Sequence, residues 1–218
     1  MALLQLDNIC AHYGKRQVLG PLSLELAANQ FVVLIGKSGS GKSTLLKHIV
    51  QQQQKQIGLA LVPQDLGLVD NLSCYQNVYM GQLGRHSSFY NACNLVRPKS
   101  TDIIAVESIL TQLDIADKCW QRVGELSGGQ QQRTAVARAL HQQGKFLIAD
   151  EPVSALDEPK AHQVMALLQQ HYHSALVALH DIDLALHYGQ RIIGLHDGHI
   201  ALDQKASALT AQDLLEFY

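Results

Sequence analysis

The strongest constraint on what this chain can fold into is one short loop. Gly36, Lys37, Ser38, Gly39, Ser40, Gly41, Lys42 and Ser43 match G-x-x-x-x-G-K-[ST]. The loop directly follows Phe31–Ile35, an unbroken β-branched and aromatic run typical of a strand buried on both faces. An apolar helical pattern begins near Lys42. Glycines at these positions let successive backbone N–H groups wrap an anion where a Cβ would clash or forbid positive φ. The helix N-terminus adds a favourable field. Lys42 is placed to reach the β and γ phosphates of a nucleotide, Ser43 to ligate Mg²⁺, and Thr44 follows inside the same cradle.

Three further apolar runs read as parallel strands: Leu59–Val62, 146–149 and 175–179. Each ends in a polar residue, Gln64 just past Pro63, then Asp150, then His180. Ligands of open parallel sheets bind beyond the carboxyl ends of the strands, so these three residues are candidates for one site. Asp150 and Glu151 are adjacent, and alternation along a strand predicts that they point to opposite faces and divide two tasks. Asp150 suits Mg²⁺, usually through water, and Glu151 suits the general base that activates water. Pro152 stops the strand.

The rest of the chain frames that core. Residues 22–26 alternate as a half-solvated antiparallel strand should. A hairpin with an Asp197, Gly198 turn joins a strand over 192–195 to one over 200–202. Residues 65–143 read as a helical subdomain inserted between core strands, 1–64 and 144–218 forming the catalytic core. Within the insertion a helix is predicted over 102–113, with Ile103, Val106, Ile109, Leu110 and Leu113 on its apolar face. The glutamine-rich tract 51–56 reads as a plain connector in preference to extra helix. Residues 207–218 read as one amphipathic helix packing through Leu209, Leu214, Leu215 and Phe217.

Composition excludes several classes. With 47% hydrophobic and 17% charged residues over 218 positions, a large core is available and disorder is not indicated. A net charge of -2 argues against electrostatic grip on nucleic acid. No run approaches the ~18 apolar residues of a membrane span. The start of the chain lacks the basic flank and apolar stretch of a signal peptide, so a cytoplasmic chain is expected. Cys10, Cys74, Cys93 and Cys119 form no CxxC pair and read as buried or incidental thiols in a reducing compartment. His171 with His173, and His196 with His199, lack the spacing of a helical zinc site and read as surface residues.

One more segment adds a specific resemblance. Leu126, Ser127, Gly128, Gly129 and Gln130, followed by Gln131, Gln132, Arg133 and an alanine-rich helix, resemble the signature sequence of ABC ATPases. Ser127 can cap the following helix, and Gly128 and Gly129 allow close backbone approach to a phosphate. The resemblance extends over nearly the whole chain. It implies that Tyr13 stacks on adenine, that Gln64 is the Q-loop glutamine meeting Mg²⁺ or the lytic water, and that His180 is the switch histidine on the γ-phosphate. It also implies that Ser154, Ala155, Leu156 and Asp157 form the D-loop crossing a dimer interface.

The implied fold is an α/β, RecA-like P-loop NTPase core with an inserted helical subdomain. Its antiparallel β subdomain is expected to be trimmed, because the segment after the cradle helix is shorter than family members usually carry. The implied activity is ATP hydrolysis with Mg²⁺, energising a membrane transporter. The implied partners are a second ATPase subunit, transmembrane permease subunits and, indirectly, a solute-binding protein, with the chain peripheral on the inner face of the cell membrane. Residues 71–85 resemble phosphonate-importer ATPases. The alternative is an ABC ATPase of a non-transport complex, regulatory at a membrane or associated with DNA or ribosomes.

Overall fold

A computed structural model describes residues 2–14, 16–53 and 58–218 of the protein. Two compact units are present. The first comprises Met1–Gln64, Lys145–Pro152 and Met165–Tyr218; the second comprises Asp65–Gly144 and Val153–Val164.

In the first unit, β1 (Ala2–Tyr13) and β2 (Arg16–Ala27) form a two-stranded antiparallel ribbon. Leu22, Leu24 and Leu26 are buried while Ser23 and Glu25 face out, as the alternation predicts. The expected trimmed β subdomain is this two-stranded sheet. Beside it runs a six-stranded sheet of β3 (Phe31–Ile35), β4 (Leu59–Val62), β5 (Phe146–Asp150), β6 (Ala175–Ala178), β7 (Arg191–His196) and β8 (His199–Lys205). Its order is β4-β5-β6-β3-β7-β8, parallel throughout except for the β7–β8 hairpin. The continuous apolar runs are explained by burial of β3, β5 and β6 along their whole length.

Helix α1 (Lys42–Gln53) carries Leu45, Leu46 and Ile49 into a core shared with Leu4, Leu6, Leu24 and Leu26 of the ribbon and Val32 and Leu34 of β3. Burying each such leucine contributes roughly 1.5–3 kcal/mol, so the ribbon is held to the cradle helix by its leucine face. The tract expected to be a connector is helical through Gln53, because α1 continues into it; 54–57 lie outside the described residues. Glutamine is a good helix former, so its low complexity does not stop the helix.

The end of the chain departs from expectation. A 3-10 turn at Ala206–Ala208 and a second at Leu215–Phe217 flank a four-residue helix, Ala211–Leu214, instead of one amphipathic helix. Leu214 and Phe217 are buried, Leu209 is half-buried and Leu215 is 60% exposed. Gly194 makes room for Phe217: a Cβ there would meet its ring at 2.5 Å, so the aromatic ring lies directly on β7.

In the second unit, α2 (Cys74–Tyr79), α3 (Ser88–Val96), α4 (Ser100–Gln112) and α5 (Gly128–Gln142) precede α6 (Glu158–His171), whose first half completes the unit. Val106, Leu110 and Leu113 are buried as the helical pattern predicts, whereas Ile103 and Ile109 are half-buried. Helix α3 inverts the usual pattern. Its buried residues are Asn91 and Asn94, satisfied by Tyr79 Oη at 3.0 Å and Tyr75 Oη at 3.3 Å. Its outward residues include Phe89, 80% exposed, and Val96, 87% exposed. A helix that turns polar groups inward and large apolar ones outward presents a surface for something else to cover.

Beneath it, His141 of α5 is buried with Nε2 unbonded among the described residues, its ring 6.4 Å from that of Tyr79. Burial, with Arg85 and His86 nearby and Asp102 opposing, lowers its pKa from 6.5 to about 4. The unfolded chain therefore takes up a proton that the folded chain refuses. The stabilising contribution is complete above pH 6.5 and is lost as pH falls toward 4. The urea midpoint should drop across that window, and His141→Gln should flatten the drop; an unchanged pH profile would contradict a buried neutral imidazole.

Candidate active site

Four strands of the first unit deliver their following residues to the carboxyl edge of the sheet. The cradle leaves β3, Gln64 follows β4, Asp150 ends β5 and His180 follows β6. The cradle, Gln64 and His180 line a cleft of about 310 Å³, together with Val18 of the ribbon and Glu151, whereas Asp150 lies outside that lining. Lys42, Ser43, Gln64, Glu151 and His180 are thus brought together. Ser38, Gly39, Gly41 and Thr44 form its cradle wall. Gly36, Lys37 and Ser40 complete the loop outside the lining, Gly36 and Ser40 buried and Lys37 exposed. The Tyr13 side chain lies outside the described part of the chain.

The loop conformation requires its glycines. Gly36, Gly39 and Gly41 have φ of 150°, 82° and 106°. A Cβ on Gly41 would meet Val18 O at 3.0 Å and Leu19 Cδ1 at 3.1 Å, so the loop backs directly onto β2. Gly198 N–H donates to Ser40 O at 3.1 Å, and Gly20 N–H to Gly198 O at 2.7 Å. The turn of the β7–β8 hairpin therefore clamps the cradle to the ribbon. Sequence reasoning identified that turn but not this use of it.

Lys42 is buried, its Nζ donating to Gly36 O and to Lys37 O at 3.3 Å. Burial lowers its pKa, while Glu151 and Asp150 act the other way. Both carboxylates thus lie within electrostatic reach of the ammonium.

Glu151 is placed by a turn, which corrects the alternation argument. β5 ends at Asp150, and Glu151 has φ 54° in the left-handed region. Its N–H donates to Ala178 O at 3.1 Å, so the backbone runs on beside β6. Leu179 N–H donates to Leu34 O at 3.1 Å, which fixes the residue just before His180. The two anchored backbones bring His180 Nε2 to 2.6 Å from Glu151 Oε1, and the histidine donates to the carboxylate.

Asp150 is 6% exposed, and burial raises its pKa, opposed by a hydrogen bond from Ser43 and by Lys42 and Lys47 and reinforced by Glu151. Among the described residues nothing bonds its Oδ1. Ser43 Oγ also lies 3.4 Å from Gln64 Oε1. A buried carboxylate oxygen without a partner, beside a hydroxyl and an amide oxygen, is the hard donor set Mg²⁺ takes. No group of three His, Cys, Asp or Glu gathers as a metal cluster among the described residues. Mg²⁺ needs none, because it keeps waters and substrate phosphates and uses one or two protein oxygens. Asp150, Ser43 and Gln64 therefore fit the ion.

The remaining predicted residues belong to the second unit. Ser127 caps α5, its Oγ accepting from Gln130 N–H at 3.4 Å. Gln130 Oε1 accepts in return from Ser127 N–H at 2.9 Å, a reciprocal box. Ser127 and Gly128 are exposed and Gly129 and Gln130 half-exposed, so this helix start is open to solvent.

The ABC transporter family model matches residues 19–154. The chain belongs to that family. It is an ATP hydrolase of the family, with the implied P-loop NTPase fold. It is 35% identical to the phosphonates import ATP-binding protein PhnC 3 of Halalkalibacterium halodurans, over 99% of this chain and 94% of that protein. It is 37% identical to PhnC 2 of Haloquadratum walsbyi over 96% and 80%. Among solved structures, a dimeric post-hydrolysis state of the ATP-binding cassette MJ0796 with ADP and Pi superposes with TM-score 0.76 at 25% identity. The match covers 94% of this chain and 99% of that one. No helix among the described residues of this ABC protein is long and apolar enough to cross a membrane.

Proposed function

We propose that two copies of this chain close around two ATP molecules, each held by one copy's cradle and sealed by the other copy's 127–130 tip, to drive an importer of phosphonate-like solutes. The observation that carries the chemistry is the convergence of Lys42, Ser43, Gln64, Glu151 and His180 on one cleft. The relatives named for phosphonate import, at 32–37% identity, support the solute class. The outward apolar face of α3 supports a protein partner, which we take to be the transmembrane permease at the inner face of the membrane, fed by a solute-binding protein.

Within this scheme the cradle N–H groups and Lys42 hold the β and γ phosphates in line for attack. Mg²⁺, held through Ser43, Gln64 and Asp150, would supply charge neutralisation of those phosphates. Glu151 accepts the proton of the attacking water. His180 fixes the Glu151 carboxylate in the ground state and turns to the γ-phosphate when nucleotide is present. Tyr13 stacks on adenine. The 127–130 tip adds backbone donors at a helix start to the neighbour's γ-phosphate. Only the triphosphate offers that last contact, so closure is differential binding and reverses after hydrolysis.

The test is sedimentation of the Glu151→Gln form with Mg·ATP and with Mg·ADP. A dimer with ATP alone is expected; a monomer under both conditions, alone and on its permease, would overturn the shared pocket. Co-purification with a permease of the phosphonate class tests the solute, and capture of a different permease would reassign it.

A further inference from the structure

Gln132 lies two residues beyond the 127–130 tip and points inward. It is 3% exposed, and an unbonded buried amide would be costly. Both ends of its side chain bond one short segment. Nε2 donates to Ser154 Oγ at 3.1 Å, and Oε1 accepts from Ala155 N–H at 2.8 Å. The same segment meets the tip directly: a Cβ on Gly129 would lie 3.0 Å from Ala155 O and 3.2 Å from Leu156 Cδ2. Downstream, Leu156 N–H donates to Val153 O at 3.1 Å, and Asp157 Oδ1 accepts from Lys160 N–H at 3.0 Å at the start of α6. Residues 154–157 are therefore held between a buried amide at one end and a helix cap at the other.

We propose that Gln132 is a positioning residue that locks the 154–157 loop to the 127–130 tip, so that the chain offers its neighbour one rigid surface instead of two independent loops. Granted the shared pocket proposed above, both segments face the second copy, and their mutual geometry decides whether the pocket closes. The link also has a chemical consequence along the chain. Val153, where the second unit resumes, is only two residues after Glu151. Docking of the tip is thereby tied through Gln132 to the segment that follows the general base. A leucine at 132 would fill a similar volume while offering neither bond, and a glutamate would keep the acceptor for Ala155 N–H but lose the donor to Ser154.

The experiment uses the full chain with Gln132→Leu and Gln132→Glu, each also combined with Glu151→Gln. Hydrogen exchange at the Ala155 amide reads the lock in the isolated chain. About tenfold faster exchange is expected in Gln132→Leu, the scale of one lost buried hydrogen bond, with a smaller change in Gln132→Glu. ATP affinity of the single copy should stay at the parent value, because the cradle is untouched. The Mg·ATP dimer of the Glu151→Gln background should weaken about tenfold or more with Gln132→Leu, and kcat should fall without a matching change in KM. Ala155 exchange equal in parent and Gln132→Leu would overturn the lock. So would an altered exchange rate with dimerisation and kcat unchanged. Failure of the Glu151→Gln parent itself to dimerise would instead remove the shared pocket, and the exchange comparison would still decide the lock.

Discussion

Glu151→Gln is expected to bind Mg·ATP as the parent does while turnover falls ~10²-fold or more, the scale of a lost general base. The substitution is nearly isosteric, and the amide oxygen can still accept from His180 Nε2, so the 2.6 Å contact that orients the side chain survives. What disappears is the lone pair basic enough to take a proton from water. Nucleotide affinity by fluorescence titration and phosphate release by a steady-state assay separate the two properties. Turnover near that of the parent would take Glu151 out of the role. A collapse of affinity alongside turnover would place it in binding.

Lys42→Ala is expected to act on the other property, weakening ATP by about 10- to 100-fold, the scale of losing charge-assisted hydrogen bonds. Lys42 is 5% exposed and its ammonium already sits among backbone acceptors, bonded to Gly36 O and Lys37 O. Burial lowers its pKa, so the site holds a cation against its own desolvation cost. Phosphates arriving in the cradle supply the missing counter-charge, which is why the affinity should depend on this residue more than the stability does. Unchanged affinity for ATP would contradict its contact with the phosphates.

Much of the site is legible in the sequence. The cradle carries its own chemistry, because glycines, lysine and serine at fixed spacing leave few other ways to fold. The strand runs ending in Gln64, Asp150 and His180 were equally plain, since a parallel sheet buried on both faces writes continuous apolar stretches. The pairing of His180 with Glu151 was not readable. It depends on hydrogen bonds between neighbouring strand ends, Glu151 N–H to Ala178 O and Leu179 N–H to Leu34 O, far apart in sequence. Low complexity leaves helix and connector both open over Gln51, Gln52 and Gln53, although propensity favours the helix that forms. The polar interior of α3 was hidden for the opposite reason. Periodicity assumes that apolar residues face the core, and here two tyrosine hydroxyls reverse the preference by satisfying Asn91 and Asn94.

The left-handed backbone at Glu151 carries a cost that a glycine there would avoid. A side chain with a Cβ held at φ 54° gives up roughly 1–2 kcal/mol relative to glycine. Replacing Glu151 by glycine would relieve that strain at the expense of the carboxylate on which turnover depends.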